Sequence, residues 1–425
     1  MKCRIACRLG STLLSFQLVS CVSYTDQTRE IRREYLSGHY EAALEQINKS
    51  VLKESESSRL LYLLEKGSIL DRAGRSREAR SLWIEADKLA DELYTTSISK
   101  TAASFVYNDS TMDYGGEEYE RVNVHTMLAL SFLEKNELRK AIVEARKINS
   151  KLAEINDLLG EDSKNHYQKD AFARYLAALI YEAKGEWDSA IIDYKKAINI
   201  YEKSYKKSYG TRLPQSLVRS YYRLLLKRRR TSSAAQIKSR YPFLSKVKNE
   251  VLGSIVVIHE AGTIAPKREK SFYLRLKNKV IRYSWPVIFP QNESRFGTNA
   301  VKVGNNKWKF AELSQDMDSI AYQALEDKRL GSTVKTMARI ALKDQITQKA
   351  KEMGPFAEIA AGIYNAATET ADTRGWTLLP SRFYITRIYV SPGKWDVKTK
   401  SNGKLSKIKT IRVEPNRISF IRDAG

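Results

Sequence analysis

Histidine and cysteine, the residue types that most often bind metals or act as nucleophiles, are scarce among the 425 residues of this sequence. No histidine has metal-ligand spacing to another histidine or to a cysteine. The glycine motifs that bind phosphates or dinucleotides, and the Gly-x-Ser-x-Gly pattern of serine hydrolases, do not occur. The residues concerned are Cys3, Cys7, Cys21, His39, His125, His166 and His259. We therefore expect no metal, no cofactor and no enzyme activity.

Cys21 is predicted to carry a lipid. Lys2, Arg4 and Arg8 precede an apolar run, residues 9–19, which is too short to span a bilayer and is typical of a secretory signal. The sequence Leu-Val-Ser-Cys ending at Cys21 resembles a bacterial lipobox, in which the cysteine thiol takes a diacylglyceryl group and palmitate follows. We expect a lipoprotein signal peptide over 1–20 and lipidation of Cys21. The alternative is an ordinary signal peptide with a chance cysteine.

The residues around Cys21 also predict where the protein lies. Cys3 and Cys7 fall inside the signal and lipidation consumes Cys21, so we expect no disulfide in the mature chain. An Asp after the lipidated cysteine would resemble an inner-membrane retention signal, but Val22 stands there. Several acyl chains on one residue hold a protein at a membrane far better than one. We therefore expect a lipid-anchored protein of the outer membrane that faces the periplasm.

Asp372, Arg374 and Trp376 form a second candidate group, since alternate residues share a face if the segment is a strand. The simpler interpretation is an Asp372–Arg374 ion pair that orders a loop, with Trp376 in the core. Asp316 and Asp318 stand near a predicted helix start. We interpret them as N-caps rather than as an acid and a base.

Two amphipathic helical patterns meet at Gly185 and organise residues 171–202. Apolar residues recur at three- and four-residue steps on both sides of the glycine. Small residues fall where the two helices must approach. The stretch resembles a tetratricopeptide repeat (TPR), whose pattern it meets at Ala178, Tyr181, Gly185, Trp187, Ala190, Tyr194 and Ala197.

One helix pair cannot bury its own apolar faces, so further pairs are expected. Ala43, Ala79 and Ala141 anchor related patterns, with turns at Gly38 and Gly74. A helix that begins near residue 214 carries a basic stripe and is expected to cap the stack. The sequence thus predicts a TPR-like α-solenoid over 21–245, interrupted by insertions at 93–122 and 152–170.

After residue 245 the pattern changes, and we predict an α+β domain over 250–425 with antiparallel strands. Strands are expected within 253–313, helices within 316–370 and strands within 383–422. The last strands are expected to form one small antiparallel sheet. This tail resembles the PEGA type of envelope module, in which a Pro-Gly turn such as Pro392-Gly393 begins a strand.

The net charge of +24 is concentrated in the second half. Residues 251–425 have 30 Lys and Arg against 16 Asp and Glu, whereas 22–250 have 40 against 33. Such basicity normally suggests nucleic acid, which a secreted chain does not meet. Lipopolysaccharide phosphates, anionic lipids and peptidoglycan carboxylates are the polyanions expected nearby. A solvated basic surface with no specific ligand is the alternative.

The chain is similar, over most of its mature length, to a family of Gram-negative TPR lipoproteins with a C-terminal α+β domain. The segments that carry the likeness are 116–121, 143–146, 175–190, 260–267 and 368–380. The last segment is the most specific, and the role of its residues Glu369, Asp372, Arg374, Trp376 and Pro380 is not assigned. In that family the gene often lies beside an outer-membrane lipoprotein that activates penicillin-binding proteins.

The resemblance implies a role in cell-envelope or peptidoglycan biogenesis. The expected function is a lipid-anchored scaffold or adaptor that binds a periplasmic or outer-membrane protein through its repeats. The alternative is binding of a glycan or surface polyanion, such as peptidoglycan or lipopolysaccharide, by the basic C-terminal domain.

Overall fold

The computed structural model of the chain describes residues 23–99, 112–159, 167–247, 252–276, 279–292, 296–329, 370–406 and 408–424. Cys21, Glu369 and most of the helical stretch expected over 316–370 lie outside these residues, so those expectations stay predictions. In the part of the chain that is described, no helix combines the length and the apolar character needed to cross a bilayer.

Helices fill the described residues before 248, and most of them pack as successive pairs. They are α1 (Tyr24–Gln27), α2 (Arg29–Leu36), α3 (Tyr40–Lys49), α4 (Val51–Glu54), α5 (Arg59–Arg72), α6 (Ser76–Ser99), α7 (Glu118–Glu134), α8 (Leu138–Leu159), α9 (Ala171–Lys184), α10 (Trp187–Ile200), α11 (Lys206–Tyr209), α12 (Gln215–Lys227) and α13 (Thr231–Arg240). The pairs are α2 with α3, α5 with α6, α7 with α8, α9 with α10, and α12 with α13. A π-helical turn, Tyr201–Tyr205, joins α10 to α11. The helical part is therefore a TPR-like stack.

Each pair turns at a residue whose backbone is left-handed. The φ angle is 82° at Gly38, 80° at Gly74 and 82° at Gly185, a conformation that glycine adopts without a Cβ clash. Asn136 and Arg229 take φ angles of 57° and 53° at the other two turns. The turns predicted at the three glycines are confirmed. At Arg229 the sequence predicts only a capping helix, whereas α12 and α13 form a further pair.

The small residues of the repeat pattern lie where paired helices touch. Those with no exposed surface include Ala43, Ala79, Ala141, Ala178, Ala190 and Ala197, and the larger Tyr194 is equally buried. Trp187 is half-buried against the same core. In the α5–α6 pair, Gly67 plays the corresponding part, because a Cβ there would lie 2.5 Å from Nε1 of Trp83. The helices therefore approach too closely for larger side chains.

Helices extend into both segments predicted as insertions. α6 continues to Ser99 and α7 begins at Glu118, so 93–122 is helical at both ends. α8 continues to Leu159, with Leu152 and Ile155 buried on its inner side. Part of each predicted insertion is therefore a lengthened helix that keeps its apolar stripe.

Beyond residue 252 the chain mainly forms strands. They are β1 (Gly253–Ala261), β2 (Arg268–Leu276), β3 (Lys279–Val287), β4 (Ala300–Val303), β5 (Lys309–Phe310), β6 (Glu312–Asp316), β7 (Arg382–Val390), β8 (Gly393–Ser401), β9 (Lys404–Leu405), β10 (Lys409–Val413) and β11 (Ile418–Asp423). The first sheet has the order β11-β1-β7-β6, and the second has the order β10-β8-β4-β5 with β9 beside β8. β2 and β3 form a separate hairpin. Residues 317–329 are helical.

The last strands do not form one small antiparallel sheet, so that prediction is wrong. β11 pairs in parallel with β1, Ser254 lying opposite Ile418, whereas β8 and β10 belong to the second sheet. β1 lies between β7 and β11 and is buried along its whole length. The alternation of a strand shows which faces it buries, but not which distant strand becomes its neighbour.

One apolar core joins the helix pairs to the first sheet. Phe172 of α9 stacks on Phe383 of β7, with ring centroids 5.0 Å apart. Ile385 faces the same core, while Ile388 and Val390 pack toward the second sheet. The predicted alternation of β7 is confirmed. Near residue 250 the chain changes from helices to strands, but the apolar core is continuous across this change. The division into domains 21–245 and 250–425 stays a prediction.

Candidate functional site

The segment 372–380 lies against α5, α6 and α7, and Arg374 fixes its start. The guanidinium of Arg374 pairs with the Asp372 carboxylate at 2.7 Å. It also donates to the carbonyl oxygens of Ser57 at 3.2 Å and Met112 at 2.7 Å. Its charge lies over the ring of Tyr114. The ion pair expected from the sequence therefore forms, and it ties the segment to the chain before α5 and α7.

Trp376 is fully buried among the helices. Its Nε1 donates to Oγ of Ser68 at 2.8 Å, and its backbone N–H donates to Glu120 at 2.7 Å. The ring lies 6.4 Å from the ring of Trp83, centroid to centroid. Pro380 at the end of the segment is also buried. These residues thus fill the space between the helix pairs and the sheet.

The carboxylate of Glu65, in the middle of α5, receives four hydrogen bonds. The donors are the backbone N–H of Thr377 at 2.6 Å, its hydroxyl at 2.7 Å, the N–H of Leu378 at 3.0 Å and the hydroxyl of Tyr24 at 3.1 Å. Burial raises the pKa of Glu65 to about 7, although these donors oppose the rise. Glu65 therefore joins the first described helix, α5 and the 372–380 segment at one point.

Glu120 makes a second junction of this kind at the start of α7. It accepts from the N–H of Trp376, from the hydroxyl of Tyr114 at 2.6 Å and from the N–H of Glu117 at 3.1 Å. Burial raises the pKa of Glu120, while Lys267 opposes the rise. The last of these bonds is half of a capping box that begins α7.

Glu117, the N-cap residue of α7, binds two lysines from the second half. It pairs with buried Lys267 and, at 2.7 Å, with Lys328, which also lies 2.6 Å from Glu118. Burial would raise the pKa of Glu117, but the two lysines lower it well below its ordinary value. Negative charge near a helix N-terminus is also favoured by the helix dipole.

Two arginines on the first sheet complete the contact between the helix pairs and the C-terminal part of the chain. This contact, made by Glu65, Glu120, Glu182, Arg387 and Arg422, is called the junction below. Arg387 of β7 donates twice to Glu182 of α9, with both distances 2.7 Å, and Glu182 also accepts from Tyr194 at 2.6 Å. Such bidentate pairs fix both distance and orientation. Arg387 thus joins the sheet to one of the predicted repeat residues.

Arg422 of β11 lies between the carboxylates of Asp71 of α5 and Glu260 of β1. Its Nη2 is 2.7 Å from Asp71 and 3.0 Å from Glu260. All three side chains are almost completely buried. Carboxylates of Glu260 and Asp71 would repel each other without this cation, so Arg422 holds α5 and β1 together.

His125 of α7 is the histidine whose surroundings most resemble those of a catalytic residue, because it lies between two carboxylates. Its two ring nitrogens lie 3.3 Å from Asp87 and 2.9 Å from Glu144. Burial lowers the pKa of His125, but the hydrogen bonds to these two carboxylates raise it above its ordinary value. The ring is buried, and both nitrogens are engaged, so it ties α6, α7 and α8 together rather than facing a substrate.

Asp316 and Asp318 have different roles. Asp316 accepts from the N–H of Ser319 at 3.1 Å, as expected of an N-cap. Asp318 does not cap; it accepts from the N–H groups of Ala265 and Gln291. The N-cap prediction for Asp318 is therefore wrong, because its side chain points back to two loops.

The residues that hold the junction were not assigned roles from the sequence. They are Glu65, Glu120, Glu182, Arg387 and Arg422. One feature of the sequence does indicate such a role: Glu65 follows five residues of which four are leucine, so its charge falls within an apolar stretch. Among the described residues, no group of His, Cys, Asp and Glu could hold a metal ion. The junction carboxylates already receive several donors, so the arrangement can fix structure but presents no free base to a substrate.

The comparisons with known proteins add little. No protein-family model matches the chain, and no curated protein matches it. Among solved structures, the chain is similar to the nearly identical TPR-like repeats of a kinesin light chain-like protein from Podosopora anserina, at 15% identity over 52% of this chain and 93% of that one, with a TM-score of 0.33. For MamA of AMB-1 the values are 15%, 52%, 91% and 0.31. At these TM-scores the likeness carries no argument.

Proposed function

We propose that the protein is a lipid-anchored scaffold or adaptor of the outer membrane, held through Cys21 and facing the periplasm. It binds protein partners through its helix pairs and serves cell-envelope or peptidoglycan biogenesis, as in the Gram-negative lipoproteins that its sequence resembles. The observation that carries the proposal is that the chain's own C-terminal part already covers the first helices of three pairs. Contacts of Glu65, Glu120 and Glu182 show that α5, α7 and α9 turn toward the chain's own C-terminal part. A partner is therefore expected on the second helices of the pairs.

Exposed apolar side chains on those second helices support this placement. Val143 of α8 and Ile192 of α10 are 47% and 51% exposed. Each follows its buried alanine, Ala141 or Ala190, by two residues, so they occupy equivalent positions. Exposed apolar residues at repeated positions suit an extended contact with another protein.

Site-specific photocrosslinking in Gram-negative cells tests the scaffold. A photoreactive amino acid at position 143 or 192 should give discrete protein adducts. The matched control is position 310, because Phe310 is 69% exposed but lies on the second sheet. Adducts from 310 alone, or from none of the three positions, would contradict binding through the helix pairs.

The second candidate is binding of an anionic glycan by the second sheet, and its register favours that function. Lys302 of β4 stands opposite Lys398 of β8, and Lys394 of β8 stands opposite Arg412 of β10. Alternation places all four on one face. Within the described part of the chain, none of them has an ion-pair partner. Like charges directly opposite destabilise a sheet, and a bound anion would relieve the repulsion.

Lys398→Glu tests this candidate, because it removes binding charge while it converts a repelling pair into an attracting one. Binding of the full chain to lipopolysaccharide or peptidoglycan should weaken, while stability stays equal or rises by about 0.5 kcal/mol. Lys206→Glu, at an exposed position of α11, changes the net charge equally and serves as the control. Equal binding to heparin and to the envelope polymers would instead indicate a solvated basic surface. We also propose that this tail is PEGA-like, since β8 begins at Gly393 directly after Pro392.

A further inference from the structure

The β2–β3 hairpin is basic and aromatic. Among the described strands, β2 and β3 pair only with each other. Residues 268–287 contain six Lys or Arg and one acidic residue, Glu269. A two-stranded hairpin is only marginally stable in water by itself, and the burial of Tyr283 shows that this hairpin is partly covered, while other side chains on it stay exposed.

Aromatic side chains stand along this hairpin and just after it. The rings of Phe272, Tyr283 and Trp285 contact one another at centroid distances between 5.2 and 5.6 Å. Phe272 is 41% exposed, Tyr273 is 68% exposed, and Phe289 beyond β3 is 63% exposed. Lys and Arg beside exposed aromatic rings are typical of surfaces that lie at the headgroup level of a membrane.

The base of the hairpin lies beside the start of the described chain. The hydroxyl of Thr25 donates to the carbonyl oxygen of Lys267 at 2.6 Å, directly before β2. A cleft of about 1270 Å³ lies between these two parts of the chain. Ser23, Arg29 and Arg268 are among the residues that line it. The N-terminal segment therefore enters the fold at the hairpin.

The distance between the hairpin and Cys21 is limited by the short stretch of chain that joins Cys21 to Ser23. Two residues of backbone span at most about 7 Å, so Ser23 lies within that distance of Cys21. Each strand of the hairpin has nine residues and is about 30 Å long. A lipid on Cys21 would therefore place the bilayer surface within reach of the hairpin.

We propose that the β2–β3 hairpin and Phe289 dock on the surface of an anionic phospholipid bilayer. Exposed Arg268 and Lys270 contact lipid phosphates, and the ring of Phe272, which shares their face of β2, enters the headgroup layer together with Phe289. Tyr273 points to the opposite face of the hairpin. The direction of docking rests on the proposed anchor at Cys21. The surface itself acts without the lipid, and it sets the orientation of the helix pairs relative to the membrane.

Vesicle flotation with the Cys21→Ser chain, made without its signal peptide, tests the surface. It should bind phosphatidylcholine vesicles that contain phosphatidylglycerol at least about tenfold more tightly than pure phosphatidylcholine vesicles, and salt should weaken this binding. The double variant Phe272→Ser, Phe289→Ser should lose most of the binding, whereas Tyr273→Ser, on the opposite face of β2, should retain it. Phe310→Ser, equally exposed on the second sheet, should retain it. Circular dichroism checks that all variants are folded.

A second readout separates docking at the headgroups from binding of the whole chain by charge alone. Lipids brominated on their acyl chains should quench tryptophan fluorescence, and Trp285→Phe should remove most of that quenching. Equal binding by the parent chain and the double variant, or no preference for anionic vesicles, would overturn the proposal. Because the chain tested has no lipid, these outcomes do not depend on lipidation of Cys21 or on a protein partner.

Discussion

Removal of the Glu65 carboxylate is expected to destabilise the chain strongly. Glu65→Leu would leave the N–H groups of Thr377 and Leu378 buried without an acceptor, and would also orphan two hydroxyls. A buried orphan donor costs about 1–3 kcal/mol, and the two N–H groups cannot turn toward another acceptor. We therefore expect a loss of about 4 kcal/mol in the free energy of unfolding.

Glu65→Gln provides the matched variant. Its amide oxygen can keep the three donors that Oε1 of Glu65 accepts, from Tyr24 and Thr377. Its amide nitrogen would face the N–H of Leu378, which leaves one orphan and a cost of about 1–3 kcal/mol. Urea unfolding followed by circular dichroism should therefore rank both the parent chain and Glu65→Gln above Glu65→Leu. Equal stability of the parent chain and Glu65→Leu would refute the reasoning.

The same pair of proteins makes a prediction about pH. Burial raises the pKa of Glu65 from 4.5 to about 7, so the folded chain binds this proton more tightly than the unfolded chain does. The resulting stability is fully present below pH 4.5 and is lost as the pH rises through about 7. Relative to Glu65→Gln, the parent chain should lose up to about 3 kcal/mol over that interval. A stability difference that does not change with pH would contradict the raised pKa.

Three further changes test other parts of the molecule. Cys21→Ser should abolish palmitate labelling and either release the protein or stall its processing, whereas labelling that persists would exclude Cys21 as the anchor. Ala190→Asp should place a charge in a fully buried helix contact and lower the stability by more than about 4 kcal/mol, and an unchanged thermal melt would show that the contact is not packed. Arg422→Leu should cost about 3–5 kcal/mol, because Asp71 remains buried without its cation and Glu260 keeps only Arg72, 3.5 Å away. The double change Arg422→Leu, Asp71→Leu should cost less than Arg422→Leu alone, because Glu260 then remains paired with Arg72 and no buried carboxylate is left without a cation.

The elements that depend on near neighbours could be predicted from the sequence. The α9–α10 pair follows from apolar residues at helical spacing around Gly185, whose positive φ is confirmed. β7 follows from alternation that places Phe383 and Ile388 on opposite faces. In each example the information lies within one or two turns or strands, where periodicity determines which side is buried.

The junction could not be predicted in this way, because its partners lie far apart in the chain. Glu65 and Thr377 are 312 residues apart, and Asp71 and Arg422 are 351 apart. A charged residue in an apolar stripe indicates that some partner is buried with it, but it does not identify that partner. The Asp372–Arg374 pair can be predicted because its members are two residues apart. The hydrogen bonds from Arg374 to Ser57 and Met112 cannot be predicted in this way, because these residues are distant in the chain.

The distance in sequence between Glu65 and Thr377 also sets a delay during synthesis. A ribosome that adds about 5–20 residues per second needs about 15–60 s to make the chain between them. Throughout that time α5 has been made while the segment that covers its inner side has not. Nascent chains of this protein should therefore present an apolar, acidic groove to chaperones for most of their synthesis. Chains that stop before residue 372 should keep that groove open and should be the ones that chaperones and proteases hold longest.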